Sequence, residues 1–123
     1  MIINTAELLG AALDYAVAKS LGLNEETLDP LTWECTAYPS GCYNFATRWA
    51  QGGPIIEREL IALTPYSYTD DAWNATLATP IKHYYAYGPT ALVAAMRCFV
   101  ASRLGVKVLL PTELGLPNFV EAL

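Results

Sequence analysis

The chain is poor in charge, and poorest in positive charge. Charged residues make up 15% of its 123 positions, and seven Lys and Arg stand against twelve Asp and Glu, a formal net charge of −5. A phosphate backbone repels such a chain unless its cations cluster. Lys19, Arg48, Arg58, Lys82, Arg97, Arg103 and Lys107 are instead scattered, which argues against a nucleic-acid partner. The reverse device, an acidic surface that imitates DNA, needs dense rows of carboxylates. Only Glu25-Glu26-Asp29 and Asp70-Asp71 are grouped.

Long apolar runs are missing as well. Hydrophobic residues reach 54%, too many for a disordered chain. Yet Lys19 and Arg97 interrupt the longest apolar stretches, short of the roughly 20 residues that a membrane helix needs. No membrane partner is expected. Met1-Ile2-Ile3-Asn4 has neither a basic region nor a cleavage-like site, so the expected location is the cytoplasm. The length suits one domain over residues 1–123.

Histidine and cysteine are scarce. Cys35, Cys42, Cys98 and His83 match the ligand count of a Cys₃His zinc site, but without the closely spaced Cys pair that marks such sites. Cys98 falls in the most apolar stretch and reads as a small buried hydrophobe. A Cys35–Cys42 disulfide fits the spacing but not a reducing compartment. A thiol nucleophile needs a base beside it, and nothing puts His83 near a cysteine; alternation puts it on one face with Tyr85 and Tyr87. Gly52-Gly53-Pro54 is a turn, not a phosphate cradle. No cofactor, metal or catalytic group is expected.

What the sequence does have is a strong helix signal from Gly88 to Gly105. Pro89 suits the first helical turn and Gly105 the left-handed position past the end, with Ser102 and Arg103 as a polar last turn. Leu92, Val93, Met96, Cys98, Phe99, Val100 and Leu104 make it apolar over most of its circumference, so other elements must cover it. Arg97 shares a narrow stripe with Thr90, Ala94 and Ala101. These small neighbours let a backbone or a ligand come close. A buried arginine needs a carboxylate or carbonyl partner, with Asp14 and Glu57 as candidates.

Upstream, Asn4 and Glu7 resemble a capping box opening a helix from Thr5 to Leu21, closed by Gly22. Its apolar face is Leu9, Leu13, Ala16, Val17 and Leu21. Asp14 lies on the opposite stripe, in solvent or beside an arginine. Leu28–Leu31 is a turn and Thr32–Tyr38 an extended segment. Asn44 caps a short helix that stops at Gly52-Gly53, and Pro54 restarts a helical turn to Glu59. Leu60–Leu63 reads as a buried strand, Trp73–Leu77 as a strand, Ile81–Tyr87 as an edge strand, and Val106–Leu110 as a last strand with Lys107 outward. Residues 112–123 form a tail, docked or mobile. The sum is an α+β domain, two main helices on a small, mainly antiparallel sheet of three to four strands.

Two features suggest binding. Glu57-Arg58-Glu59 sets a guanidinium between carboxylates, able to grip a ligand or to work as acid and base in a cleft; a solvated charged turn is the plainer alternative. Tyrosine and tryptophan exceed what the core can hide, and Trp49 and Trp73 mark an aromatic surface of the kind enriched at interfaces.

Four stretches carry a resemblance to a known family: Thr5-Ala6-Glu7-Leu8 through Leu13-Asp14-Tyr15-Ala16-Val17-Ala18-Lys19; Trp49-Ala50-Gln51-Gly52-Gly53-Pro54-Ile55-Ile56-Glu57-Arg58-Glu59; Trp73-Asn74-Ala75; and Gly88-Pro89-Thr90 through Ala94-Ala95-Met96-Arg97-Cys98 to Gly105. In this order, over nearly the whole chain, they resemble the NinX-like family of phage and prophage proteins. The chain departs from that pattern at Tyr15, where Trp is usual, in an insertion-like stretch from Cys35 to Phe45, and in a more apolar last strand at Leu109-Leu110.

The resemblance implies a small accessory protein of a bacteriophage or an integrated prophage, working in the bacterial cytoplasm. It supplies no catalytic or binding residues. The leading expectation is a non-enzymatic binding module for a host or phage protein or a small molecule, with Asp14, Trp49, Glu57, Arg58, Trp73 and Arg97 as candidate contacts. The alternatives are a small enzyme with a charged pocket around Glu57, Arg58 and Arg97, and a homo-oligomeric structural protein joined through its tyrosines.

Overall fold

Thr90 starts the helix that the other elements pack against. Its side-chain oxygen accepts a hydrogen bond from the Val93 N–H at 3.1 Å, and the helix runs Ala91–Leu104 to Gly105 at φ 93°. The Gly105 stop is the expected one. The start is two residues later than the sequence suggests: the hydroxyl cap wins, so Pro89 precedes the helix instead of sitting in its first turn.

In the computed structural model, which describes residues 2–22, 44–66 and 71–110, this helix is the third. The order is β1 (Ile2–Asn4), a 3₁₀ turn (Thr5–Glu7), α1 (Gly10–Ser20), α2 (Trp49–Glu59), β2 (Ala62–Pro65), β3 (Trp73–Ala78), β4 (His83–Gly88), α3 (Ala91–Leu104) and β5 (Lys107–Leu109). The fold is α+β. The expected segments at Leu28–Leu31 and Thr32–Tyr38, Cys35 and Cys42, and the tail at 112–123 lie outside the described residues.

The strands β2, β3 and β4 form an antiparallel sheet in that order, with β3 in the middle and β4 at an edge as its proline neighbour predicts. Trp73 pairs with Gly88 on one side and Pro65 on the other. The helix α3 lies against this sheet and also packs on α1 and α2. That enclosure explains its all-round apolarity: Ala94, Ala95, Met96, Cys98, Phe99 and Val100 are all fully buried.

Four local expectations give way to tertiary contacts. Asn4 does not cap a helix; it pairs with Lys107 in an antiparallel β1–β5 ribbon, so α1 begins only at Gly10. The strand β1 has no local signature, being a partner for β5. The helix α2 runs unbroken through Gly52, Gly53 and Pro54. A Cβ at Gly52 would lie 2.6 Å from Leu92 Cδ1 and against the Phe45 carbonyl, so this glycine is a close approach to α3 and not a stop.

The fourth is Leu60. It is no part of a buried strand: it adopts φ 57° as the left-handed end of α2 and is 84% exposed. Its N–H bonds to Glu57 O and that of Ile61 to Ile56 O, a Schellman-type closure that buries Ile61 in its place. The following strand begins at Ala62 and is largely exposed.

The two glycines of α2 differ sharply in what surrounds them, since a Cβ at Gly53 meets nothing closer than Trp49 Cε3 at 3.9 Å. Gly52→Ala is expected to lower the unfolding free energy by about 1–3 kcal/mol through overpacking. Gly53→Ala is expected to raise it by roughly 0.5–1 kcal/mol. Urea titrations of the two variants check the contrast.

Candidate functional site

The helix α3 carries one charge into the interior. Arg97 is only 5% exposed, and its guanidinium is held by main-chain carbonyls: Nε donates to Leu8 O and Nη1 to Tyr87 O, each at 2.8 Å. Neither Asp14 nor Glu57 is the partner. Leu8 follows the 3₁₀ turn and Tyr87 lies near the end of β4, so the two carbonyls reach Arg97 from separate elements. Among the described residues, the Nη2 group has no hydrogen-bond acceptor. Burial lowers the arginine's proton affinity, and the fields of Asp71 and Glu7 oppose that shift. An arginine so placed stays charged.

Arg97 also lines a cleft of about 400 Å³. The 3₁₀ turn and its approach form one wall with Asn4, Thr5, Ala6 and Glu7; β4 forms another with Tyr85, Ala86 and Tyr87; Ala101 and Val106 complete it beside Asp71. The small residues around Arg97 divide their work. Ala94 receives the Gly88 backbone, where a Cβ would stand 2.7 Å from Ala94 N, while Ala101 leaves space for the cleft.

The walls are fixed. The Thr5 hydroxyl donates to Gly105 O at 2.6 Å and the Thr5 N–H to Val106 O at 2.8 Å. On the other side the Tyr87 ring meets Tyr66 at 4.6 Å and Tyr85 at 6.2 Å between centroids.

The remaining candidate residues lie elsewhere. Asp14 is 5% exposed, where the helical stripe suggested solvent or an arginine, and its Oδ1 accepts from the Ala46 N–H at 2.9 Å. The turn through Phe45 and Ala46 covers that face of α1. Trp49 opens α2 and is 56% exposed; Trp73 opens β3 and is half-buried against the core. The two rings make no contact with each other.

Glu57 and Arg58 are exposed on α2 and do not line the Arg97 cleft. The closest charge cluster there centres on Glu59, whose oxygens meet Arg58 Nε and Arg103 Nη2 at 3.0 Å each. Burial pushes the Glu59 carboxyl upward, but the hydrogen bonds and fields of the two arginines win, leaving it below the usual carboxylate range. Arg103 also sits over the Phe99 ring at 5.1 Å, so the cluster ties α2 to α3.

His83 is exposed on β4, whereas Cys98 is fully buried with its thiol 3.6 Å from Tyr84 O. Desolvation pushes that thiol up to about 12. Among the described residues no three His, Cys, Asp or Glu side chains gather as a metal site, and no helix is long and apolar enough to cross a membrane.

Sequence reasoning found Arg97 but not its surroundings. Glu7 is claimed by the apparent capping box and Asp71 by an acidic pair, and nothing local brings either to α3. The alternation that puts Tyr85 and Tyr87 on one face of β4 was the usable signal.

These features define a small α+β protein organised on one enclosed helix, with a cleft at its buried arginine. The chain belongs to the family described as Bacteriophage P22, NinX, whose model matches residues 4–103. It is thus a protein of a phage family, and the match includes every cleft residue except Val106. No curated protein matches the chain.

Three outcomes test this geometry. Arg97→Met leaves the carbonyls of Leu8 and Tyr87 without their donor and is expected to cost about 2–5 kcal/mol of stability. Arg58→Met, removing an exposed pair, is expected to cost at most about 1 kcal/mol in the same urea titration. In protein with Cys35 and Cys42 replaced by Ser, a raised thiol keeps Cys98 protonated at every pH below its folded value. Ellman's reagent at about pH 9 is then expected to label it only after denaturation.

Proposed function

We propose that this phage-family protein is a non-catalytic binding module and that its ligand enters the Arg97 cleft. The observation that carries the reading is a guanidinium 5% exposed, fixed by two carbonyls, with Nη2 donors that no atom of the described residues accepts. Buried donors of this kind call for an acceptor. A group that is rigidly held and never gives up its proton is suited to holding an oxygen atom and unsuited to acid–base work.

The cleft's size also supports the reading. About 400 Å³ falls in the range of small-molecule sites, which combine apolar and aromatic walls with a few fixed polar groups. Here Ala86, Ala101, Val106 and two tyrosines supply the walls. The exposed Trp49 and the Glu57–Arg58 segment are left out of the site.

A fragment library titrated against the ¹⁵N-labelled protein tests this. Binders are expected to shift the amides of Glu7, Tyr87 and Ala101. Ala101→Leu, which fills the cleft, is expected to abolish those shifts with the thermal midpoint retained. Shifts confined to α2, or none in the cleft, would overturn the reading.

A further inference from the structure

The charges around the cleft point to the kind of molecule it takes. Arg97 is a buried cation on the lining, and Glu7 and Asp71 are exposed carboxylates on the same lining. No ion pair joins Arg97 to either. Arg97 and Glu7 are therefore opposite charges held apart on one lining. A simple anion drawn to Arg97 meets the Glu7 carboxylate; a simple cation drawn to Glu7 meets the guanidinium. A molecule bearing both signs satisfies both sides.

Resting on the binding reading above, we propose that the ligand is a compact zwitterion of amino-acid size with an apolar or aromatic body. Its carboxylate accepts from Nη2 of Arg97, its ammonium faces Glu7, and its body lies along Tyr85 and Tyr87. The fields of Glu7 and Asp71 reach Arg97, as their opposition to its desolvation indicates, so the two ends of the ligand act within one electrostatic unit. Aromatic rings on the wall give an apolar or aromatic body a surface to pack against. A volume of about 400 Å³ suits a molecule of amino-acid size.

The test uses four probes of one shape: L-phenylalanine, L-phenylalaninamide, 3-phenylpropionate and phenethylamine, followed by amide shifts and calorimetry on the intact protein. Phenylalanine is expected to bind in the cleft about tenfold more tightly than the other three, the effect of one charge-assisted contact. Glu7→Gln, an exposed change that leaves the fold alone, is expected to weaken phenylalanine about tenfold and to leave 3-phenylpropionate unchanged or tighter. Arg97→Lys is expected to weaken both carboxylate probes, and Glu7→Gln keeps the test intact if Arg97→Lys does not fold.

Equal or tighter cleft binding of 3-phenylpropionate or phenethylamine overturns the zwitterion while the binding module stands. So does silence of all four probes in a cleft that takes other fragments. A cleft that takes no fragment at all overturns both.

Discussion

Arg97 grips Leu8 and Tyr87 by their main-chain carbonyls, and the geometry of the cleft depends on that grip. Leu8 is 89 positions from Arg97 in sequence, while Tyr87 is 10. One side chain thus fastens the amino-terminal segment and the edge strand to the same point on α3. Taking a guanidinium out of water costs several kcal/mol. Two carbonyl acceptors and the fields of Glu7 and Asp71 offset part of that cost, and the side chain lines the cleft. One residue therefore joins distant segments of the core and lines the cleft.

Close approach is the second constraint. Gly52 and Gly88 each press bare backbone towards α3, one from α2 and one from the end of β4. The helix meets them with Leu92 and with Ala94. Between these contacts and the cleft, the narrow stripe of Thr90, Ala94, Arg97 and Ala101 serves as cap, backbone seat, fastening and open floor in succession. A larger residue at any of these positions would change a different part of the molecule.

What the sequence made legible was whatever a local pattern enforces. The helix ending at Gly105, the alternating strands at Trp73 and in His83 to Tyr87, and the last strand with Lys107 outward all follow from period, composition and punctuation. What escaped it depends on partners distant in the chain. Asn4 and Glu7 form a plausible cap, yet Asn4 is recruited by Lys107. Asp14 looks solvated on a helical wheel, yet Ala46 covers it. Gly52-Gly53-Pro54 reads as a break because nothing local reveals Leu92 beside Gly52. The site divides the same way: Arg97 stood out as a charge in an apolar helix, while the company of Glu7 and Asp71 arises only from tertiary folding.

The wall of the cleft is the least local part of the fold. Thr5 bonds to Gly105, 100 positions away, and among the described residues β1 pairs only with β5. Sheet, α3 and α2 can form from neighbouring segments, whereas the 3₁₀ turn has to wait for the chain beyond α3. On the ribosome, the amino-terminal segment is made first and placed last, and the cleft does not exist until Val106–Leu109 has emerged. One wall of the cleft thus rests on contacts that join residues 100 or more positions apart.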